Sequence, residues 1–135
     1  MIILWLDDYR NPFLNYGGRV PKEEGEIHWV LNYQQFTAWI QKYGLPDIIS
    51  FDHDLAPEHY TPKEYWKDYQ LSKEYQEKQN YKEKTGKDCA NWLIEYCMDN
   101  EKELPKYYAH SANPVGRDNI LNLLNNYKNY ECKIK

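Results

Sequence analysis

Two short runs, IILWL at residues 2–6 and IISF at residues 48–51, are almost wholly apolar and end abruptly in charge. Side chains alternate sides along an extended chain, so a run apolar on both sides suits a strand buried within a parallel sheet. Parallel strands in turn demand crossover connections of a dozen or more residues, usually helical. The first run is closed by Asp7-Asp8 and the second by Asp52-His53-Asp54. A buried strand tip is a costly place for a carboxylate unless something there compensates it.

The remaining segments supply the crossovers. Asn11-Pro12 and Gly17-Gly18 mark a loop, and EIHWVL at 26–31 reads as a second strand. Asn32 ahead of Gln35 caps a helix with Phe36, Trp39, Ile40 and Tyr43 on one face, which Gly44 and Pro46 stop before a third strand at 47–51. Thr85 and Asp88 form a capping box for a helix carrying Cys89, Trp92, Leu93, Tyr96 and Cys97. KYYAHS at 106–111 is a fourth strand, and Asn113-Pro114 opens a helix that points Ile120, Leu121, Leu124 and Tyr127 inward. YECKI at 130–134 alternates apolar and polar and is expected as a short fifth strand at an edge. Residues 56–84 are polar and dotted with tyrosines, which predicts a helical insertion or lid, with disorder as the alternative. Strands alternating with helices predict a three-layer α/β fold around a mostly parallel sheet, as one domain over 1–135.

Composition narrows the function. A net charge of −4 speaks against extended duplex nucleic acid, while leaving room for a small phosphorylated ligand. No apolar run approaches a membrane span, and MIILWLDDYR lacks a signal peptide's basic flank and cleavage site. The three cysteines form no CxxC pair, which argues against a disulfide framework or thiolate zinc site and for a reducing, cytoplasmic setting. The 16% aromatic content is read as background on an Asn/Lys/Tyr-rich chain, not as a recognition surface.

Chemistry is expected where the strands end, because ligands of open parallel sheets bind beyond the carboxyl edge. Asp7 and Asp8, then Asp52, His53 and Asp54, then His110 and Ser111 all fall at that edge. Neighbouring strands lie about 4.8 Å apart, so these groups converge. Asp7, Asp8 and Asp52 suit a hard cation, Mg²⁺ or Mn²⁺, that keeps positions for substrate phosphate. His53 and His110 are candidates for acid–base work on a phosphodiester. Alternation, however, sets His53 opposite Asp52 and Asp54 if the strand continues through it. Asp54 is expected to support the loop, and His28 and His59 are read as structural or solvated. In HSANPVGRDNI, Ser111, Asn113, Gly116, Arg117 and Asn119 lie where a strand enters a helix and are candidates for holding phosphate, as is Arg10. The P-loop spacing is missing.

Together LWLDDYRNP, ISFDHDL, TGKDCANWL and HSANPVGRDNI resemble the cyclic-phosphate processing receiver-like domains, a divergent branch of the CheY-like receiver fold. The resemblance implies a doubly wound sheet of order 2-1-3-4-5 and an acidic Mg²⁺ pocket from Asp7, Asp8 and Asp52, with Asp52 matching the receiver phosphoacceptor. It also implies action on cyclic phosphates, such as 2′,3′-cyclic RNA ends or related nucleotides, with His53 and His110 as the added groups. The chain lacks the Lys-Pro pair of ordinary response regulators, and its fourth strand ends in His110-Ser111. A metal-dependent phosphoesterase is therefore the leading expectation. The alternatives are a non-catalytic phosphate-binding or nucleotide-binding module and a signalling receiver phosphorylated on Asp52.

Overall fold

In the computed structural model, which describes residues 1–9, 12 and 25–134, the apolar runs pair as neighbours. β1 (Ile2–Leu6) lies between β2 (Glu26–Val30) and β3 (Ile48–Phe51), and β4 (Lys106–Ala109) pairs with β3. All pairings are parallel, in the order β2-β1-β3-β4. The receiver-like α/β layout follows, with four strands among the described residues. Trp5 sits level with Trp29 and Ser50, and Ser50 with Tyr108, so this row shares one face of the sheet. Leu6, Val30, Phe51 and Ala109 form the next row, on the other face.

That second face carries the core. Leu4, Leu6, Ile49 and Phe51 cluster with Phe36 and Ile40 of α1 (Tyr33–Tyr43) and with Cys89 and Leu93 of α3 (Gly86–Asp99). Ile120 and Leu124 of α4 (Pro114–Ile134) complete the cluster. The caps read from the sequence are present. The Asn32 side chain accepts from Gln35 N, and Thr85 and Asp88 bond reciprocally as a capping box.

The expected fifth strand is not one. Residues 130–134 continue α4, which runs unbroken from Pro114 to Ile134. The apolar positions Ile120, Leu124 and Tyr127 set a helical stripe, and no glycine or proline follows Gly116 to end it. A five-residue alternation was too short to overrule that period.

Residues 56–84 are folded. Short 3₁₀ turns at Pro57–His59 and Lys63–Tyr65 lead into α2 (Tyr69–Glu77). His59 is fully buried and staples the segment's two ends. Its Nδ1 accepts from Leu55 N at 2.8 Å, which leaves Nε2 to donate to the Glu83 carbonyl at 2.9 Å. Asn113 and Gln76 exchange side-chain amide bonds, and Tyr69 Oη donates to Asp118 at 2.8 Å, so α2 is tied to α4. Among the described residues no helix is long and apolar enough to cross a membrane.

Candidate functional site

The sheet's hydrogen-bond ladder runs one residue beyond the strands, and that residue is polar each time. Asp7 N bonds Val30 O at 3.1 Å, Asp52 N bonds Leu6 O at 2.9 Å, and His110 N bonds Phe51 O at 2.9 Å. Register alone therefore delivers two carboxylates and an imidazole to one edge, all of them buried. Asp8 follows directly and is half-buried.

Asp7, Asp8 and Asp52 each present an oxygen, and these oxygens lie within 4.8 Å of one another. Asp8 Oδ1 is buried with no hydrogen-bond partner. Burial foremost, then the charge of Asp7, pushes the Asp8 carboxyl above its ordinary value. Such a cluster is unfavourable in itself. Three hard oxygens, on carboxylates one of which carries the buried and unsatisfied Asp8 Oδ1, fit a hard divalent cation such as Mg²⁺, which would relieve the repulsion.

His110 joins this cluster across the sheet. Its ring stacks on Trp5 with centroids 3.7 Å apart and planes 6° from parallel. Nδ1 meets Ser50 Oγ at 2.7 Å and Nε2 meets Asp7 Oδ2 at 3.0 Å. With Asp7 ionised and the imidazole neutral, the proton lies on Nε2 and Ser50 donates its hydroxyl to Nδ1. β3 lies between β1 and β4, and Ser50 is the small residue over which the ring reaches Asp7. The lone hydroxyl in IISF was the sequence signal for this contact, and it went unread.

His53 is placed elsewhere. Its Nδ1 lies 2.8 Å from Asp54 Oδ1, and its backbone N donates to Asp52 Oδ1 at 2.9 Å. The ring lies against Gly116, where a Cβ would come within 2.3 Å of His53 Cγ. Gly116 thus makes room for an imidazole. His53 and Asn119 line a cleft of about 400 Å³ beside Lys73 and Thr85. Asp52, Asp54 and Asn113 line a separate cavity of about 480 Å³, and His110, Ser111 and Arg117 line a third of about 450 Å³. The phosphate-binding candidates are therefore dispersed. Asn113 caps α4 through Gly116 N and donates to Asp54, Ser111 Oγ accepts from Asn113 N, and Arg10 lies outside the described residues.

Besides Ser50, two contributors were not anticipated. Gly86 opens α3 directly against the site, where a Cβ would sit 1.9 Å from the Asp52 carbonyl oxygen. The TGKD stretch that carries it was legible only as a helix cap. Tyr60, from the insertion, has its phenol pushed up to about 12, by burial and then by the charges of Asp8, Asp52, Asp54 and Asp7. Its hydroxyl thus senses the acidic cluster.

The family model of the cyclic-phosphate processing receiver domain matches residues 2–126, so the chain belongs to that family. No curated protein and no solved structure matches the chain significantly.

Proposed function

We propose that this member of the cyclic-phosphate processing receivers is a metal-dependent phosphoesterase that opens a cyclic phosphate, such as a 2′,3′-cyclic end or a related cyclic nucleotide. The observation that carries the reading is the convergence of Asp7, Asp8 and Asp52 at one sheet edge, with Asp8 Oδ1 buried and unsatisfied. Asp7, Asp8 and Asp52 would hold Mg²⁺ or Mn²⁺, which supplies Lewis acidity and positive charge to a phosphate oxygen. Without it, a pocket walled by Asp52 and Asp54 would repel the substrate.

The chain's own residues do the positioning. Ser50 holds His110, and His110 holds Asp7 Oδ2, so this carboxylate keeps one orientation. The acid–base role of His110 would run through Asp7, since the ring is buried and both its nitrogens are engaged. His53 would support Asp54 on the neighbouring cleft. In the reaction water adds to phosphorus, one ring P–O bond breaks, and the departing alkoxide takes a proton.

Incubating the protein with nucleoside 2′,3′- and 3′,5′-cyclic monophosphates, with Mg²⁺, with Mn²⁺ or with chelator, tests the reading. A product heavier by one water is expected only with the cation, and is expected to vanish in Asp52→Asn. Turnover in chelator, or unchanged turnover in that variant, would overturn it. Tight binding with the ligand recovered intact would favour the non-catalytic module. A stable phosphoryl group on Asp52 after treatment with a small phosphodonor would favour the signalling reading.

A further inference from the structure

The cavity bounded by Asp52 and Asp54 is walled on the side of the insertion by Tyr60, Trp66 and Tyr69, and closed by Val115 of α4. We propose that this wall binds a nucleobase, so that the ligand is a nucleoside cyclic phosphate and not a bare cyclic phosphate. The inference rests on the phosphate site read above and adds the part of the ligand that the carboxylates do not address.

Three observations carry it. The first is exposure in the right place. Tyr60, Trp66 and Tyr69 are 48%, 60% and 46% exposed, so their rings keep free apolar surface although each lines the cavity. The expectation that the aromatics are mere background does not account for three of them gathering on one wall. The second is preorganisation. Trp66 Nε1 donates to Thr61 O at 2.6 Å and Tyr69 Oη to Asp118 at 2.8 Å, so these two rings are anchored by their polar atoms, and the Lys63 ammonium lies over the Trp66 ring at 6.0 Å from its centre. Rings fixed before binding lose little freedom when a ligand arrives. The third is continuity. Asp52 belongs both to the carboxylate cluster and to this cavity, so a phosphate held at the cluster brings its nucleoside to the wall. At about 480 Å³ the cavity has the capacity of a small-molecule site, more than a phosphate alone would fill.

Stacking on an aromatic ring typically strengthens binding about tenfold or more per base, and it is tolerant of base identity because every base has a π face. The Asn113 amide, which could otherwise read a base edge, is engaged with Asp54 and Gln76. Purine and pyrimidine nucleotides are therefore expected to bind alike. With a net charge of −4 on the chain, one stacked nucleoside, not a long strand, is the expected occupant.

The test is calorimetry with Mg²⁺ present, on wild type, Trp66→Ala and Trp66→Phe, each first shown by thermal melting to be folded. The probes are adenosine and uridine 2′,3′-cyclic monophosphate, the base-free methyl riboside 2′,3′-cyclic phosphate, and adenosine without phosphate. Wild type is expected to bind the two nucleotides at least tenfold more tightly than the base-free analogue. Trp66→Ala should lose that factor while keeping its affinity for the base-free analogue, and Trp66→Phe should retain most of it. Equal affinity with and without the base, or a Trp66→Ala loss that is the same for both, would overturn the wall and leave the phosphate reading intact. If adenosine binds in a Trp66-dependent way and the cyclic phosphate adds nothing, the wall stands and the phosphate reading falls. If no probe binds, both fall. A trinucleotide ending in the cyclic phosphate separates an RNA end from a free nucleotide, and the stacked base is expected in either.

Discussion

The sheet edge and the insertion hold their functional side chains in opposite ways. At the edge Asp7, Asp52 and His110 are buried, extend the strand ladder, and bond to neighbours in sequence and in space. In the insertion Tyr60, Trp66 and Tyr69 are about half exposed, and their segment is pinned through His59, Gln76 and Tyr69. A group placed by sheet register cannot move without the sheet moving, which suits chemistry that needs fixed distances. A wall hung on a few side-chain bonds can change its residues without disturbing that register, which suits selectivity. On the proposed function, the edge would supply the reaction and the insertion would hold the rest of the substrate.

The edge should not tolerate what the insertion tolerates. His110→Ala leaves Ser50 and Asp7 without this partner and opens a gap beside Trp5. A loss of about 3 kcal/mol is expected from the vacated hydrogen bonds and the cavity. Trp66→Ala, at a ring 60% exposed, should stay within about 0.5 kcal/mol. Urea unfolding of both variants reads the contrast directly, and equal losses would dissolve it.

Gly86→Ala tests whether the edge is as tightly built as it looks. The added methyl would meet the Asp52 backbone, not the end of a flexible side chain. Backbone must yield, at a cost of about 2 kcal/mol, and Asp52 moves with it. Cation affinity should fall together with stability, as calorimetry and melting would show. Stability lost with no change in affinity would mean that Gly86 serves packing alone.

The smallest effect sharpens the link between the two regions. Tyr60, on the insertion, has its phenol pushed up from 10.0 to about 12, by burial first and then by the carboxylates. Its folded value exceeds its unfolded one, so the stability it contributes is complete below pH 10 and is lost as pH climbs toward about 12. Wild type should therefore lose stability relative to Tyr60→Phe as pH rises from 10.0 toward about 12, read by urea unfolding across that range. A difference that does not change with pH would mean that the Tyr60 phenol is not perturbed by its surroundings.

Much of the edge was legible because strands have a period of two and helices announce their caps. The runs ending at Leu6 and Phe51 gave the acidic tips, and the same alternation set His53 apart from Asp52. The reach of His110 over Ser50 was not legible, since strand order puts β3 between β1 and β4 but does not say which of its side chains the ring meets. The fifth strand does not form because Tyr130, Cys132 and Ile134 fit a period of two over only five residues, while the helical stripe of Ile120, Leu124 and Tyr127 runs over eight and the helix continues from it. The aromatic wall carried no periodic signal. Its segment is closed by contacts such as that of His59 with Glu83, 24 residues away, which local pattern does not report.

The central claim is that Asp7, Asp8 and Asp52 form a divalent-cation site, and manganese binding followed by electron paramagnetic resonance tests it most directly. One Mn²⁺ per chain is expected to lose its free-ion signal, to be displaced by Mg²⁺, and to return to solution in a folded Asp52→Asn variant. A free-ion signal undiminished by the wild-type protein, or binding unchanged in Asp52→Asn, would contradict the account.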